Sequence, residues 1–248
     1  MKKILALIMV AVMALAMVAC GGAAQTEKEV LTMGTNAAFP PYEFVDENNN
    51  VAGIDAEIAA AVAEKLGMEL EIKDMAFDSL ITAVSTGSVD VVLAGMTVTP
   101  EREESVNFSE SYATGIQVVI VKEDSEIKAI DDLEGKKIGV QTGTTGDIYC
   151  ADDYGEDAVA RYDNGALAVA ALQNGQVDCV VIDNEPAKAF VEANDGLKIL
   201  ETEYITENYA AAIAKENTDL LEKFNTALAE LKAEGKIDEI IGKYIKAE

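Results

Sequence analysis

Two stretches of the chain repeat one pattern of apolar and polar positions. Thr86-Gly87-Ser88-Val89-Asp90-Val91-Val92-Leu93-Ala94-Gly95 is echoed by Asn174-Gly175-Gln176-Val177-Asp178-Cys179-Val180-Val181-Ile182-Asp183. Each follows a run with helical periodicity, 77–86 and 166–174. The pattern predicts a helix, a glycine stop and a short buried strand in both places. Glycine just past a helix end takes the left-handed conformation at little cost. A Val/Ile/Leu run without alternation suits a strand covered on both faces of a parallel sheet. Ligands of open α/β sheets sit beyond the carboxyl ends of the strands. The two copies therefore put Gly95-Met96-Thr97 and Asp183-Asn184 at equivalent places in two half-molecules, which predicts a cleft between them.

The rest of the pattern agrees with an α/β chain. Strand-like runs fall at 30–35, 69–73, 89–94, 115–121, 137–141, 177–182 and 209–214. Helical runs fall at 54–66, 77–86, 166–172, 186–193, 218–234 and 237–245, and Asp147 opens a further short helix. Segments 42–44 and 51–53 flank a polar turn at 46–50 and predict a hairpin. Alternating strands and helices imply a mostly parallel sheet. Because the pattern restarts after 115–121, lobe 1 is expected over 30–115, lobe 2 over 116–208, and a return to lobe 1 over 209–248. The runs at 115–121 and 209–214 would be two crossings forming a hinge.

The first residues stand apart. Lys2 and Lys3 precede an uninterrupted apolar stretch, 4–18, and small Ala19 precedes Cys20. This is the pattern of a secretory signal peptide over 1–19, too short for a bilayer-spanning helix. Cys20 followed by two glycines predicts lipidation of the thiol, although Met17 stands where such sites usually carry Leu. A diacylated cysteine gives two chains, enough for stable anchoring. Small, polar residues at 21–29 read as a flexible tether. The chain is expected to be extracytoplasmic and held at the cell membrane.

Composition narrows the function. The formal net charge is −26, and loss of the leader's two lysines makes the mature chain more negative still. Such a field repels nucleic acid and anionic headgroups. The chain holds no histidine, which removes Ser-His-Asp, Cys-His and His-based zinc chemistry. Cys150 and Cys179 lack metal-ligand spacing, and no bridge between them is expected. Asp46, Asn48, Asn50 and Glu57 match four positions of a calcium loop, but Val51 stands where that loop needs Gly, so a plain hairpin turn is preferred. No metal or cofactor is expected.

Four places carry candidate chemistry. Thr99 suits a helix N-cap and Pro100 the first helical position. Arg102 then lies in the first turn, where a cation opposes the helix dipole. It is one of only two arginines in the chain, and a guanidinium binds a carboxylate in bidentate fashion. The loop Gln141-Thr142-Gly143-Thr144-Thr145-Gly146-Asp147 joins a strand to a helix start and predicts a nest of free N–H groups for one carboxylate. It lacks the spacing of a phosphate loop. Asp183 ends a buried strand, where a carboxylate needs a cation or several donors; capping the next helix is the alternative. In Phe39-Pro40-Pro41-Tyr42-Glu43-Phe44 the prolines are expected to hold the loop extended. Phe39 and Phe77 could sandwich an aliphatic stem, while Phe44 reads as core.

Gly34-Thr35-Asn36-Ala37-Ala38-Phe39-Pro40-Pro41-Tyr42-Glu43-Phe44, the segment 94–102 and the segment 140–146 together resemble the extracytoplasmic polar-amino-acid-binding proteins of ABC importers. The glutamine-, histidine- and arginine-binding types are the most similar, and the resemblance runs through the mature chain in order. It implies a type II periplasmic-binding-protein fold, with two lobes joined by a two-strand hinge, closing on one free amino acid. It implies that Arg102 clamps the α-carboxylate with help from Thr97 and Thr145. Gly95 would offer its carbonyl and Asp183 its carboxylate to the α-ammonium, with Ala94 lining the same turn. Phe39 and Phe77 would be aromatic walls, and Asn36 and Gln141 would probe the side chain. Position 36 often carries Asp in binders of basic or amide side chains; Asn36 here weakens a Lys or Arg ligand. The segment Asn184-Glu185-Pro186 is one residue longer than in some relatives. The implied partners are a polar L-amino acid and a membrane permease, with the receptor itself a monomer and no enzyme. The rival expectations are a dehydratase on the same fold, using Glu43 or Asp183 as acid or base, and an amino-acid sensor, disfavoured because no transmembrane or signalling segment follows Glu248.

Overall fold

The computed structural model describes residues 28–201 and 203–246. The expected leader, Cys20 and most of the tether lie outside the described residues. In chain order the strands are β1 (Val30–Thr35), β2 (Ala38–Phe39), β3 (Glu43–Val45), β4 (Val51–Ala52), β5 (Glu69–Asp74), β6 (Val91–Val92), β7 (Val106–Phe108), β8 (Ala113–Lys122), β9 (Ile138–Gln141), β10 (Val159–Tyr162), β11 (Cys179–Asp183), β12 (Leu197–Ile199), β13 (Ile205–Tyr209) and β14 (Ala212–Ala214). They make one sheet in the order β5-β1-β6-β14-β7 and a second in the order β10-β9-β11-β8-β12, with β13 also on β8. The short strands β2, β3 and β4 form a separate hairpin sheet.

The repeated pattern is one device built twice. Gly87 (φ +74°) and Gly175 (φ +70°) each end a helix in the left-handed region. The next amide closes the helix end, Ser88 N to Ala83 O at 2.8 Å and Gln176 N to Ala171 O at 2.9 Å. The aspartate two residues on then receives an amide of the neighbouring chain segment: Thr32 N donates to Asp90 at 2.7 Å, and Lys137 N donates to Asp178 at 2.8 Å. Each carboxylate thus starts the parallel pairing, β6 on β1 and β11 on β9. The first copy is shorter than the expected 89–94, because only Val91–Val92 holds the ladder. Beyond Leu93 the chain bends away so that Gly95 N can donate to Asp55 at 2.7 Å.

Several boundaries differ from the pattern. The expected helix at 77–86 is a tight turn, Phe77–Ser79, followed by the helix Leu80–Ser85. The helix expected from Pro186 begins at Asn184, and the one expected from Asp147 begins at Thr145. The strands β7, β10 and β12 had no signal; each has four residues or fewer, and Arg161 breaks the apolar character of β10. The prolines do not hold their loop extended. Tyr42 N donates to Phe39 O at 3.0 Å, and β2 folds back on β3. The polar turn at 46–50 is a plain hairpin turn, with Asp46 accepting from Asn48 N and Asn50 N, both at 2.8 Å. Cys150 and Cys179 are buried and free.

The chain passes between the two sheets along two adjacent routes. The expected strand at 209–214 divides: β13 pairs antiparallel with the start of β8 in the second sheet, while β14 lies between β6 and β7 in the first. Tyr112 N donates to Tyr209 O at 3.0 Å and Ser109 N to Ala211 O at 2.9 Å, tying the crossings side by side. Gly115 in β8 faces Tyr209 so closely that a Cβ there would overlap the phenol oxygen and stand 2.8 Å from Asp183 Oδ2. Gly115→Ala is therefore expected to lower stability by about 1–3 kcal/mol, the usual range for overpacking. Thermal denaturation of the variant checks this.

Candidate functional site

A narrow cavity lies beyond the carboxyl ends of β1, β6, β9 and β11. All ten residues singled out in the sequence border it: Asn36, Phe39, Phe77, Ala94, Gly95, Thr97, Arg102, Gln141, Thr145 and Asp183. Glu43 and Thr144 complete the lining. Residues of the first sheet and its loops face residues of the second.

Arg102 is placed by its helix start. Thr99 caps that helix by accepting from Arg102 N at 3.2 Å, and Pro100 occupies the first position. Arg102 is only 8% exposed. Nη1 donates to the Thr97 carbonyl at 2.7 Å and Nη2 to the Gly143 carbonyl at 3.1 Å. Its carbon lies 5.4 Å from the Phe77 ring centroid, in cation–π range. Among the described residues it forms no ion pair. Burial lowers its pKa, while the charges of Glu207 and Asp183 oppose that shift; a guanidinium stays protonated regardless.

Asp183 is the counterpart on the other side, 5% exposed at the end of β11. It begins the next helix without a side-chain capping bond. Its carboxylate instead accepts from Gln117 Nε2 at 2.8 Å and from the Tyr209 hydroxyl through a short bond. Burial pushes its pKa up to about 7 against those two donors, and the Glu207 charge adds to the rise. Asp183 too lacks a cationic side-chain partner among the described residues.

The loop 141–147 is less open than the expected nest. Thr144 caps its helix, accepting from Asp147 N at 3.3 Å, and Gly143 N donates to Asp147 Oδ2 at 3.0 Å. Thr144 N donates to Gln141 O. Asp147 also pairs with Arg161 at 2.8 Å. The chain's own carboxylate therefore takes one donor of the nest. The amides of Thr145 and Gly146 head the helix, where no intrahelical partner exists for them.

The two amide side chains meet across the cavity. Gln141 Nε2 donates to Asn36 Oδ1 at 2.9 Å, and Asn36 Nδ2 donates to Met75 O at 2.8 Å. Together with the bond from Arg102 to Gly143, this gives two polar contacts joining the halves. Phe39 and Phe77 are 7% and 9% exposed walls.

Behind the lining lie residues that sequence reasoning missed. Gln117, Glu207 and Tyr149 form a buried network with Thr145: Glu207 accepts from Gln117 at 2.9 Å, Thr145 Oγ1 at 3.0 Å and Tyr149 at 3.0 Å. Their signal was a polar residue inside an otherwise apolar run, Gln117 within 115–121. Asp55 is fully buried, as is Glu43, which itself borders the cavity and was named in the sequence only as a candidate acid or base. Asp55 accepts from Gly95 N at 2.7 Å and from the Tyr112 hydroxyl at 2.8 Å. The signal for Asp55 was an acid on the apolar face of the helix Ile54–Leu66. No group of three or more His, Cys, Asp or Glu side chains among the described residues is arranged to hold a metal ion.

Comparison with known proteins agrees with this architecture. Residues 31–247 match the model of the bacterial extracellular solute-binding proteins, family 3. The arginine-binding extracellular protein ArtP of Bacillus subtilis is 35% identical, with 100% of both chains covered. Among solved structures, the P235GK mutant of ArgBP from T. maritima superposes with a TM-score of 0.83 at 44% identity, covering 87% of this chain and 94% of that one. An ancestral arginine-binding protein bound to glutamine gives a TM-score of 0.84 at 42% identity, covering 89% and 99%. The fold is the type II, two-lobed architecture with a two-strand hinge.

The raised Asp183 pKa sets a sign for stability. A carboxyl that ionises less readily folded than unfolded binds more protons in the folded state, so stability rises as pH falls between the two pKa values. Ligand-free protein is expected to gain roughly 2–4 °C in Tm from about pH 8 to about pH 6, the shift that ~1 kcal/mol produces in a chain of this size. Asp183→Asn should lessen that slope and leave the part due to Glu43 and Asp55, whose pKa values burial also raises; calorimetric scans across the pH range test it.

Proposed function

Because this chain belongs to family 3 of the bacterial extracellular solute-binding proteins, we propose that it captures a polar L-amino acid between its lobes and delivers it to an ABC permease. The observation that carries this is the pair of buried, oppositely charged groups, Arg102 and Asp183, bordering one cavity. A zwitterion supplies both missing counter-charges. Arg102 takes the α-carboxylate in bidentate fashion, joined by the amides at the Thr145 helix start and the hydroxyls of Thr97 and Thr145. Asp183 and the Gly95 carbonyl take the α-ammonium. Phe39 and Phe77 cover the aliphatic stem, and Asn36 and Gln141 face the side-chain end.

Binding favours closure because only the closed arrangement brings both charges to one molecule. The hinge is the antiparallel pair formed by the start of β8 and β13. Lobe 1 then comprises residues 30–115 with the return 209–248, and lobe 2 comprises 116–208. The receptor works as a monomer, held outside the cytoplasmic membrane by lipidated Cys20. It binds without turnover, as expected from relatives named as binding proteins, although Glu43 and Asp183 do border the cavity.

Arginine and glutamine are the first ligands to test, since relatives are named for the former and one was solved with the latter. Asn36 supplies no carboxylate for a cationic side chain, but Glu43 also lines the cavity.

Isothermal calorimetry across the amino acids is expected to show one site, with Kd on the order of micromolar or tighter, about −8 kcal/mol. Arg102→Ala should weaken every α-amino-acid ligand by at least about 2 kcal/mol, the loss typical of a hydrogen bond to a charged group. Unchanged affinity would remove Arg102 from the clamp.

A further inference from the structure

Glu43 has a burial problem that the binding chemistry alone does not resolve. Its side chain is fully buried and borders the cavity. Neither carboxyl oxygen finds a donor among the described residues, and Asp55 Oδ1 beside it is also without one. Buried polar atoms left unpaired are costly. Two carboxylates facing one another cannot both ionise cheaply, because one must keep a proton. The missing donor is that proton.

The surroundings decide which acid holds it. Asp55 already receives two donors, Gly95 N and the Tyr112 hydroxyl, which favour its charged form. Glu43 receives none. Asp55, Asp183 and Asp74 all bear on it with negative charge. The neighbouring phenols of Tyr42 and Tyr112 stay neutral, since burial raises both pKa values. Among the residues lining the cavity, Arg102 is the one cation. Burial, followed by the Asp55 charge, holds the Glu43 carboxyl well above the usual range, so it is neutral in the ligand-free protein.

Charge balance then separates two kinds of cargo. A zwitterionic head cancels Arg102 and Asp183 and leaves the cavity lining without net charge when the side chain is uncharged. A cationic side chain adds one positive charge inside a closed, low-dielectric space, where an unpaired ion is strongly disfavoured. Glu43 is the lining group able to answer it.

We propose that Glu43 is a proton-carrying specificity residue: it faces neutral side chains as a carboxylic acid and releases its proton to solvent when a cationic side chain enters. This rests on the amino-acid-binding reading above and extends it to the charge class of ligand. The step is a proton transfer only. The Glu43 O–H bond breaks, the proton leaves to buffer, and the carboxylate pairs with the ligand's guanidinium or ammonium. One pocket thereby accommodates both arginine-like and glutamine-like cargo, and affinity for the cationic class rises with pH.

The test uses L-arginine and its neutral isostere L-citrulline, titrated calorimetrically in two buffers of different ionisation enthalpy near neutral pH. Any proton lost by Asp183 is common to both ligands and cancels in the comparison. Arginine is expected to release about one proton more than citrulline, the full titration of a single carboxyl. Glu43→Gln, which keeps a donor toward Asp55, is expected to remove that difference, retain citrulline, and weaken arginine at least about tenfold, as loss of a charged contact does. Equal proton release by the two ligands, or an undiminished difference in Glu43→Gln, overturns the proposal. So does failure of either ligand to bind while another amino acid binds. If no amino acid binds at all, the amino-acid-binding reading itself fails. Should Glu43→Gln not fold, infrared difference spectra of the wild-type protein decide the matter: arginine must erase a protonated-carboxyl band that citrulline preserves, and a band surviving in arginine overturns the proposal.

Discussion

One buried cation and one buried carboxylate, bordering the same cavity and each without an ionic partner among the described residues, set the terms for the rest of this structure. An isolated charge in a protein interior is strongly penalised unless neighbouring dipoles compensate it. Arg102 is met by two carbonyl oxygens and an aromatic face, and Asp183 by an amide and a phenol. These partners are neutral, so each charge is supported but not cancelled. A pair of opposite charges bordering one cavity is complementary to a zwitterion. It is also a reason for the lobes to close, because each lobe brings one pole.

The fold serves that spacing through a small set of local devices. The repeated helix–glycine–strand unit ends once near Gly95 and once at Asp183, so the two poles grow from equivalent corners of two sheets. The aspartates Asp90 and Asp178 lock each unit onto its neighbouring segment. At the hinge, Gly115 lets Tyr209 approach Asp183, and Gln117 reaches both Asp183 and Glu207. The same hinge strands that permit closure therefore also hold the carboxylate and, through Glu207, the Thr145 hydroxyl. On the other side, Asp55 ties Gly95 to Tyr112 at the crossing. The proposed binding groups and the hinge are joined by hydrogen bonds and not merely adjacent.

Much of this was legible in the residues, and what escaped did so for physical reasons. Arg102 announced itself by standing at the wrong end of a helix dipole, and Asp183 by ending an apolar strand. The repeat located both corners, and all ten singled-out residues line one cavity. The strand at 89–94 was overestimated because apolar character alone cannot tell a laddered residue from one bending toward Asp55. Short strands such as Val106–Phe108 carry too few positions for a period to show. The Pro40–Pro41 segment turns where the prolines suggested extension: β2 folds back on β3, and Ile54 N and Asp55 N donate to the carbonyls of Pro41 and Tyr42. Glu207 looked like one more acid in an acidic chain; only its burial, visible in three dimensions, distinguishes it from solvated surface charge.

The most direct examination is a crystal structure of the protein grown with its best-binding amino acid. The ligand's carboxylate is expected to sit on the guanidinium of Arg102, and its ammonium on the Asp183 carboxylate and the Gly95 carbonyl, with Phe39 and Phe77 against the stem. A ligand found with its two ends reversed, or lodged outside this cavity while Arg102 and Asp183 keep their present partners, would contradict the whole scheme.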